Sequence, residues 1–321
     1  MFPFDSLLST DQLKGHAVVI SGCDTGFGHG ASLALAKLGF NVFAGCYTTE
    51  GIALLERAAL DVKTENGCLT PLRLDVTSDA SVAEFLEHIE RETGPSGVYA
   101  LINNAGIADI GQIEMLPMAQ HKAIMEVNYF GVLRMLRAFT PLLRRYTTVQ
   151  THTIKPRLIS IASISARIPF PMFAAYSASK HACSALTLAA RSELSHFGID
   201  VTTIEPFFAR TPIVTQDRSG MLMTQFLAAS EELKAAYGEP DVEEFRKESR
   251  KNVVDSYFTM DTEFVVDRIV QCVRTRNLSN RYSVGFMCYV LLFVHMFLPS
   301  WILENALADK TRKQPLKRQN L

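Results

Sequence analysis

The chain of 321 residues has no excess of either charge, with 32 basic residues against 33 acidic ones and a formal net charge of -1. That balance leaves no electrostatic footprint for nucleic acid, which is met by a concentrated basic field. The six cysteines (Cys23, Cys46, Cys68, Cys183, Cys272, Cys288) form no CxxC pair, and the eight histidines show no ligand spacing with them. No metal site is expected, and scattered thiols point to a reducing, intracellular compartment. The start, MFPFDSLLSTDQLKG, has neither a basic opening nor an apolar stretch of signal-peptide length. Without an export signal, the sequon Asn277-Leu278-Ser279 reads as a chance match. Long apolar runs are also lacking. The most apolar stretch, Val284 to Leu303, is interrupted by His295 and Pro299 and falls short of the ~20 residues of a confident crossing.

Hydrophobic residues make up 48% of the chain, enough for a large core, and one α/β domain with additions is the economical expectation. Ala17 to Ser21 (AVVIS) is a short apolar run meeting Gly22-x-x-x-Gly26-x-Gly28, after which ASLALAKLGF has helical periodicity. Strand, glycine turn and helix are what a dinucleotide site needs. Glycines let the backbone approach a pyrophosphate seated on the helix N-terminus, although the spacing also fits a simple tight turn. The second strand, Asn41 to Cys46, ends at the position that meets the adenosine ribose, occupied by Cys46 and Tyr47. With no basic partner for a 2'-phosphate there or in Cys23-Asp24-Thr25, NAD is expected over NADP.

Further strands are expected at Leu69 to Leu74, Val98 to Ile102, Arg157 to Ile161, Ile199 to Ile204 and around Arg281 to Ser283. Helices are expected at Glu50 to Leu60, Ser81 to Glu92, Met118 to Arg145, up to Gly198, twice within Ser219 to Lys251, and at Thr262 to Arg274. That alternation implies βαβ units and a parallel sheet. Asn103-Asn104-Ala105-Gly106 is a polar strand exit where ligands bind in such sheets, or an ordinary Asn/Gly turn. TTVQTHTIKP, before Arg157, reads as a surface insertion.

The stretch Ser163 to Lys180, SISARIPFPMFAAYSASK, places a serine at a strand end, a tyrosine thirteen residues later, and a lysine four residues after that on the same helix face. A phenol of unperturbed pKa ~10 needs a neighbouring cation to serve as acid/base at neutral pH. Ser163, Tyr176 and Lys180 therefore suit moving a proton on or off an alcohol oxygen. A packed tyrosine with a solvated lysine would show the same spacing. Asn128, within MEVNYFGV, fits an interior polar group satisfied by its neighbours.

Taken together, GxxxGxG, NNAG and Ser-x12-Tyr-x3-Lys make the sequence resemble the short-chain dehydrogenase/reductase family over roughly Gly15 to Ser283. The resemblance implies a doubly wound, three-layer Rossmann fold with seven parallel strands in the order 3-2-1-4-5-6-7, as a domain over 1–283, with 284–321 as a hydrophobic segment and basic tail. It implies a tetrad: Tyr176 as acid/base, Lys180 lowering its pKa and contacting the nicotinamide ribose, Ser163 orienting the substrate oxygen, and Asn128 supporting a water. It places Gly22, Gly26, Phe27, Gly28 and Cys46, Asp75 and Val76, Asn104 to Gly106, Pro206 and Thr211 along the cofactor. GCDTGFG, FNVFAGC and VNYFGVLRM are similar to the branch holding retinol, hydroxysteroid and 3-hydroxybutyrate dehydrogenases. Pro206-Phe207 departs from that family's Pro-Gly.

Residues expected to face a substrate are apolar: Ile164, Ile168, Phe170, Pro171, Phe173, Phe207 and Phe208. They favour a lipophilic secondary or allylic alcohol or ketone, steroid- or retinoid-like, unless they merely pack the core. The alternatives are 3-hydroxybutyrate, with Arg210 as the cation for its carboxylate, and a cofactor-binding membrane scaffold without turnover. The run 284–303, followed by Lys310, Arg312, Lys313, Lys317 and Arg318, suits an interfacial helix at an endoplasmic reticulum or mitochondrial membrane. A fold over the pocket or a homo-oligomer interface, in a cytoplasmic protein, would use the same residues.

Overall fold

Successive residues of a strand point to opposite faces of its sheet, so a strand covered by helices on both sides must be apolar throughout. β1 (Ala17–Ser21) obeys this, with every residue buried. Val18 and Ile20 join one core and Ala17 and Val19 the other. The computed structural model describes residues 7–60, 67–149 and 154–307. β2 (Asn41–Cys46), β3 (Cys68–Arg73), β4 (Ala100–Asn103), β5 (Arg157–Ile161), β6 (Asp200–Pro206) and β7 (Arg281–Val284) complete a seven-stranded sheet ordered β3-β2-β1-β4-β5-β6-β7. All its pairs are parallel. Pro71, inside β3, is tolerated because that strand lies at the sheet edge and pairs only with β2.

Among the described residues the helices are α1 (Thr10–Leu13), α2 (Gly26–Lys37), α3 (Thr49–Leu60), α4 (Asp79–Thr93), α5 (Met118–Met125), α6 (Val132–Val149), α7 (Ala174–Leu194), α8 (Pro212–Thr215), α9 (Ser219–Ala228), α10 (Glu231–Tyr237), α11 (Val242–Ser249), α12 (Thr262–Arg274), α13 (Phe286–Phe297) and α14 (Ser300–Leu307). Apolar residues of α2, α3 and α12 cover one face of the sheet, and those of α4, α6 and α7 the other. The three-layer order expected from the alternating elements is therefore present, and it puts all C-terminal strand ends on one side.

Three expectations need correction. The helix foreseen over Met118 to Arg145 is α5 and α6 joined by a π turn, Glu126–Gly131, which holds Asn128. The foreseen insertion begins as helix, because α6 continues through Thr147 to Val149, while 150–153 lie outside the described residues. Between Ser219 and Lys251 stand three helices rather than two, since Ser230 caps an extra start by accepting from the Leu233 amide.

The apolar run 284–303 breaks at Gly285 and Leu298–Pro299 into the end of β7, α13 and α14. Cys288, Leu291, Leu292 and Leu303 pack inward on Ile164, Ile168 and Phe207. No helix among the described residues is long and apolar enough to cross a membrane. The basic tail from Lys310 to Arg318 lies outside the described residues.

Thiol chemistry follows from burial. Cys23, Cys46, Cys183, Cys272 and Cys288 are buried and Cys68 is exposed. Burial pushes the Cys46 and Cys288 thiols up to about 12, and Cys23 and Cys183 upward as well. A raised thiol stays protonated and unreactive. Iodoacetamide in mildly alkaline buffer is therefore expected to alkylate Cys68 first in the native protein, as peptide mass mapping reads directly; early labelling of Cys46 would refute this.

Candidate active site

Ser163 ends the β5 exit as the N-cap of a single turn, its Oγ accepting from the Ser165 amide at 3.1 Å. The hydroxyl hydrogen remains free to donate. Tyr176 and Lys180 stand one turn apart on α7, the Lys180 Nζ 5.7 Å from the Tyr176 ring centroid and donating to the Ile161 carbonyl at 2.9 Å. Asn128 is buried; its Oδ1 accepts from the Ile107 amide and its Nδ2 donates to the Ile107 carbonyl and to Ser179 Oγ, each at 2.9 Å. It thus ties the loop after β4 to α7. A Cβ on Gly106 would lie 3.3 Å from both Asn128 Oδ1 and Lys180 Nζ, so that glycine lets the two groups approach. The π turn re-aims Asn128 from its helix toward this point, a common use of such turns.

The glycine turn is built for close approach. Gly22 and Gly26 adopt positive φ values of 71° and 64°, open to glycine without strain. A Cβ on Gly28 would come within 2.4 Å of Gly22 O and 2.5 Å of Asn104 Nδ2. Asn104 Nδ2 donates to the Ser21 and Gly22 carbonyls at 3.0 and 2.8 Å, fixing the turn. Thr25, the N-cap of α2, makes no side-chain bond to the first-turn amides, which leaves them for an anion. The Asn103 carboxamide, 2% exposed, has no partner among the described residues. Cradle, open amides and orphaned carboxamide all fit a dinucleotide.

At the β2 end the sequence reading needs revision. Cys46 is fully buried in the core, so its side chain does not meet a ribose. The groups there are Tyr47, exposed, and Asp24, a residue of the glycine turn. Asp24 accepts from the amides of Tyr47 and Thr48, both at 2.8 Å, and from Thr48 Oγ1 at 2.7 Å. A cation was also missed: Arg73, register partner of Cys46, holds its guanidinium 4.7 Å from the Tyr47 ring centroid. The Asp75 carboxylate is engaged by the Thr77 amide and hydroxyl at 2.9 and 2.7 Å, and Val76 is buried against Gly131.

A cavity of about 630 Å³ opens at Ser163 and Tyr176, within the range that holds a drug-sized ligand. Ser163, Tyr176, Phe27, Pro206 and Thr211 line it beside the apolar Ile164, Phe170, Phe173, Phe207 and Phe208. Ile168 is fully buried beneath, in the cluster under α13. The bulk of Phe207 is accommodated at Gly285, where a Cβ would lie 3.2 Å from Phe207 Cβ. Arg210 forms an ion pair with Asp261 at 2.6 Å. The cation that lines the cavity from this segment is instead Arg218.

Residues 16–222 match the family model described as short chain dehydrogenase. The chain belongs to the short chain dehydrogenase family. Estradiol 17-beta-dehydrogenase 2 of Rattus norvegicus is 31% identical over 318 residues, covering 97% of this chain and 79% of the relative. The 11-beta-hydroxysteroid dehydrogenase type 2 of Oryctolagus cuniculus is 31% identical over 290 residues, 88% of this chain and 67% of its own. Retinol dehydrogenase 16 of Homo sapiens is 28% identical over 298 residues, 91% and 88%. Levodione reductase shares the fold with a TM-score of 0.69 at 18% identity, covering 85% of this chain and 97% of that one. A 3-ketoacyl-(acyl-carrier-protein) reductase from Brucella melitensis, complexed with NADH, gives 0.65 at 21%, covering 85% and 97%. This short chain dehydrogenase is thus an oxidoreductase of alcohols and ketones that works with a nicotinamide dinucleotide.

Proposed function

We propose that the protein moves a hydride between NAD and a lipophilic secondary or allylic alcohol or its ketone, of steroid or retinoid type. The observation carrying this reading is that Ser163 and Tyr176 open into one largely apolar cavity with Phe170, Phe173, Phe207 and Phe208. The substrates printed in the names of the relatives agree with it. Arg210, the cation a hydroxybutyrate reading relied on, is instead engaged by Asp261.

The bound nicotinamide would supply the hydride acceptor in oxidation and the donor in reduction. The amides of the glycine turn at Gly22, Gly26, Phe27 and Gly28 would hold the pyrophosphate, with Asn104 to Gly106 and Thr211 alongside. Ser163 Oγ donates to the substrate oxygen, and Tyr176 Oη takes its proton. Lys180, anchored on the Ile161 carbonyl, stabilises the phenolate by its charge. Asn128 positions Lys180 by fixing Ile107 and, through Ser179, α7. The test is absorbance at the reduced-nicotinamide band with a panel of steroid, retinoid and hydroxybutyrate substrates. Turnover of hydroxybutyrate alone would reject the apolar-pocket reading; cofactor binding with no turnover would favour the scaffold.

NAD preference rests on Asp24, a carboxylate at the ribose end that repels a 2'-phosphate, against Arg73, which attracts one. Asp24→Asn is expected to lower the NAD/NADP ratio of kcat/KM by about tenfold, the loss of one charge contact. An unchanged ratio would move the determinant elsewhere.

The C-terminal helices suit a lipid surface. Phe286, Tyr289, Phe293, Met296, Phe297 and Trp301 are exposed, at helical spacing opposite the inward face, and the basic tail follows them. Flotation with phosphatidylserine vesicles is expected for the wild type and not for a Phe286→Ser, Phe293→Ser, Trp301→Ser variant. Equal partitioning would sink the reading.

A further inference from the structure

The cavity is not apolar all round. Beyond Thr211 the wall is built by α8, the segment Gln216 to Arg218 and α11, and it carries charge. Arg246 and Arg250 belong to it, but each is engaged: Arg246 by Asp217 at 2.7 Å and Glu243 at 2.5 Å, Arg250 by Asp255 at 3.1 Å. Arg218 differs. Its half-buried guanidinium is held by neutral oxygens, the Ile213 carbonyl and Gln216 Oε1. Neutral acceptors fix the side chain in place without consuming its charge. Among the described residues the carboxylate that acts on it is Asp109, in the loop after β4, whose carboxyl burial holds above the usual range while Arg218 draws it down; Asp217, engaged by Arg246, and Glu248 line the same cavity.

A cation fixed in a largely apolar cavity has a chemical meaning. Burying a guanidinium against hydrocarbon is costly unless an anion or strong acceptor comes to it. A neutral steroid or retinoid offers such a group only a weak partner. We propose that Arg218 receives an anionic group, a carboxylate or sulfate, carried by the lipophilic hydroxy or keto substrate away from its reacting carbon. The proposal rests on the cavity being the substrate site. It narrows the substrate class to acidic amphiphiles, such as hydroxy fatty acids or steroid acids, whose hydrocarbon body lies along Phe170, Phe207 and Ile213. Asp109 tempers the site, so that the anion displaces part of an existing attraction rather than meeting a bare charge.

Matched probes test this: lithocholate and ricinoleate, each beside its own methyl ester, which keeps the alcohol and removes the negative charge. Dissociation constants are measured by calorimetry on the NAD-loaded enzyme, and turnover is measured separately with the same compounds. For at least one pair, the wild type is expected to bind the acid about tenfold or more tighter than the ester, the worth of one charge-assisted contact. Arg218→Gln is expected to bring that ratio near unity, Arg218→Lys to keep part of it, and Asp109→Asn to raise it. An ester bound as well as the acid by the wild type overturns the proposal even if the variants fold poorly. A ratio unchanged in Arg218→Gln overturns it too. Tight, Arg218-dependent binding of the acid without turnover would uphold the anion site and reject the dehydrogenase reading of these compounds, so the two fail separately.

Discussion

Tyr176→Phe is expected to lower kcat by about 10²- to 10⁴-fold, the range one positioned acid/base contributes, while leaving the fold and the affinity for the nicotinamide cofactor in place. The phenyl ring keeps the edge contact with Phe173, whose centroid lies 6.3 Å away, and the Lys180 ammonium keeps its bond to the Ile161 carbonyl. Only the hydroxyl that would carry the substrate proton is removed. Ser163 would still donate to the substrate oxygen in the proposed mechanism, but a donor whose proton is not released cannot complete an oxidation. The measurement is steady-state formation of reduced nicotinamide, beside cofactor binding followed by fluorescence and circular dichroism of the variant. A kcat that falls by less than about tenfold, with binding intact, would remove Tyr176 from the role of acid/base.

Arg157→Leu produces the largest expected loss of stability. Arg157 opens β5 at the sheet end remote from the cavity-lining strand ends and is fully buried. Its Nη1 donates to the carbonyls of Cys272 at 2.9 Å, Val273 at 2.8 Å and Thr275 at 2.7 Å. Those are the C-terminal carbonyls of α12, which have no helical partner, and a cation there also meets the negative end of the helix dipole. The guanidinium lies 4.9 Å from the Tyr99 ring centroid, and Tyr99 Oη donates to the Val273 carbonyl at 2.7 Å. Leucine fills most of the volume but takes the guanidinium away from these buried carbonyls, at about 1–3 kcal/mol for each one left unpaired before relaxation, while the Val273 carbonyl keeps its bond from Tyr99 Oη. A net loss of about 3–5 kcal/mol is expected, read as a lowered urea midpoint with unchanged slope. A midpoint equal to the wild type would mean that water replaces the guanidinium. Arg157→Lys, keeping the charge but not the fork, is expected to fall between the two.

Much of the sheet was legible because its signal is local. Apolar runs flanked by helical periodicity marked all seven strands to within a residue or two, and Pro71 did not mask β3 because an edge strand tolerates it. The Ser163, Tyr176 and Lys180 spacing works the same way: four residues on a helix fix a face, whatever the rest of the chain does. The π turn at Asn128 was not legible, since Glu126 to Gly131 has the composition of ordinary helix and only packing against the loop after β4 selects the wider turn.

The charged groups divide along the same line. Arg210 was singled out because it sits near the motif in sequence, yet Asp261 engages it. Arg218, eight residues on, lines the cavity because α8 and the following turn fold the chain back over it. Asp24 was read only as an absent base. Its carboxylate reaches Thr48, 24 positions away, since β1 and β2 are paired in parallel and their exits coincide.

From the amino-acid order alone followed the parallel α/β sheet, the glycine turn, and the presence of a serine, tyrosine and lysine at spacings suited to proton transfer. Those properties depend on backbone periodicity and on residues within a turn or two of each other, which neighbouring atoms suffice to enforce. Folding in three dimensions decided which carboxylate stands at the β2 exit, which arginine of the cavity is held by neutral oxygens, how Asn128 and Lys180 meet across Gly106, and that Arg157 caps a helix 118 positions further on. Each of these joins segments that only the packed sheet brings together, and the cost of burying an unpaired charge or amide then selects the partner.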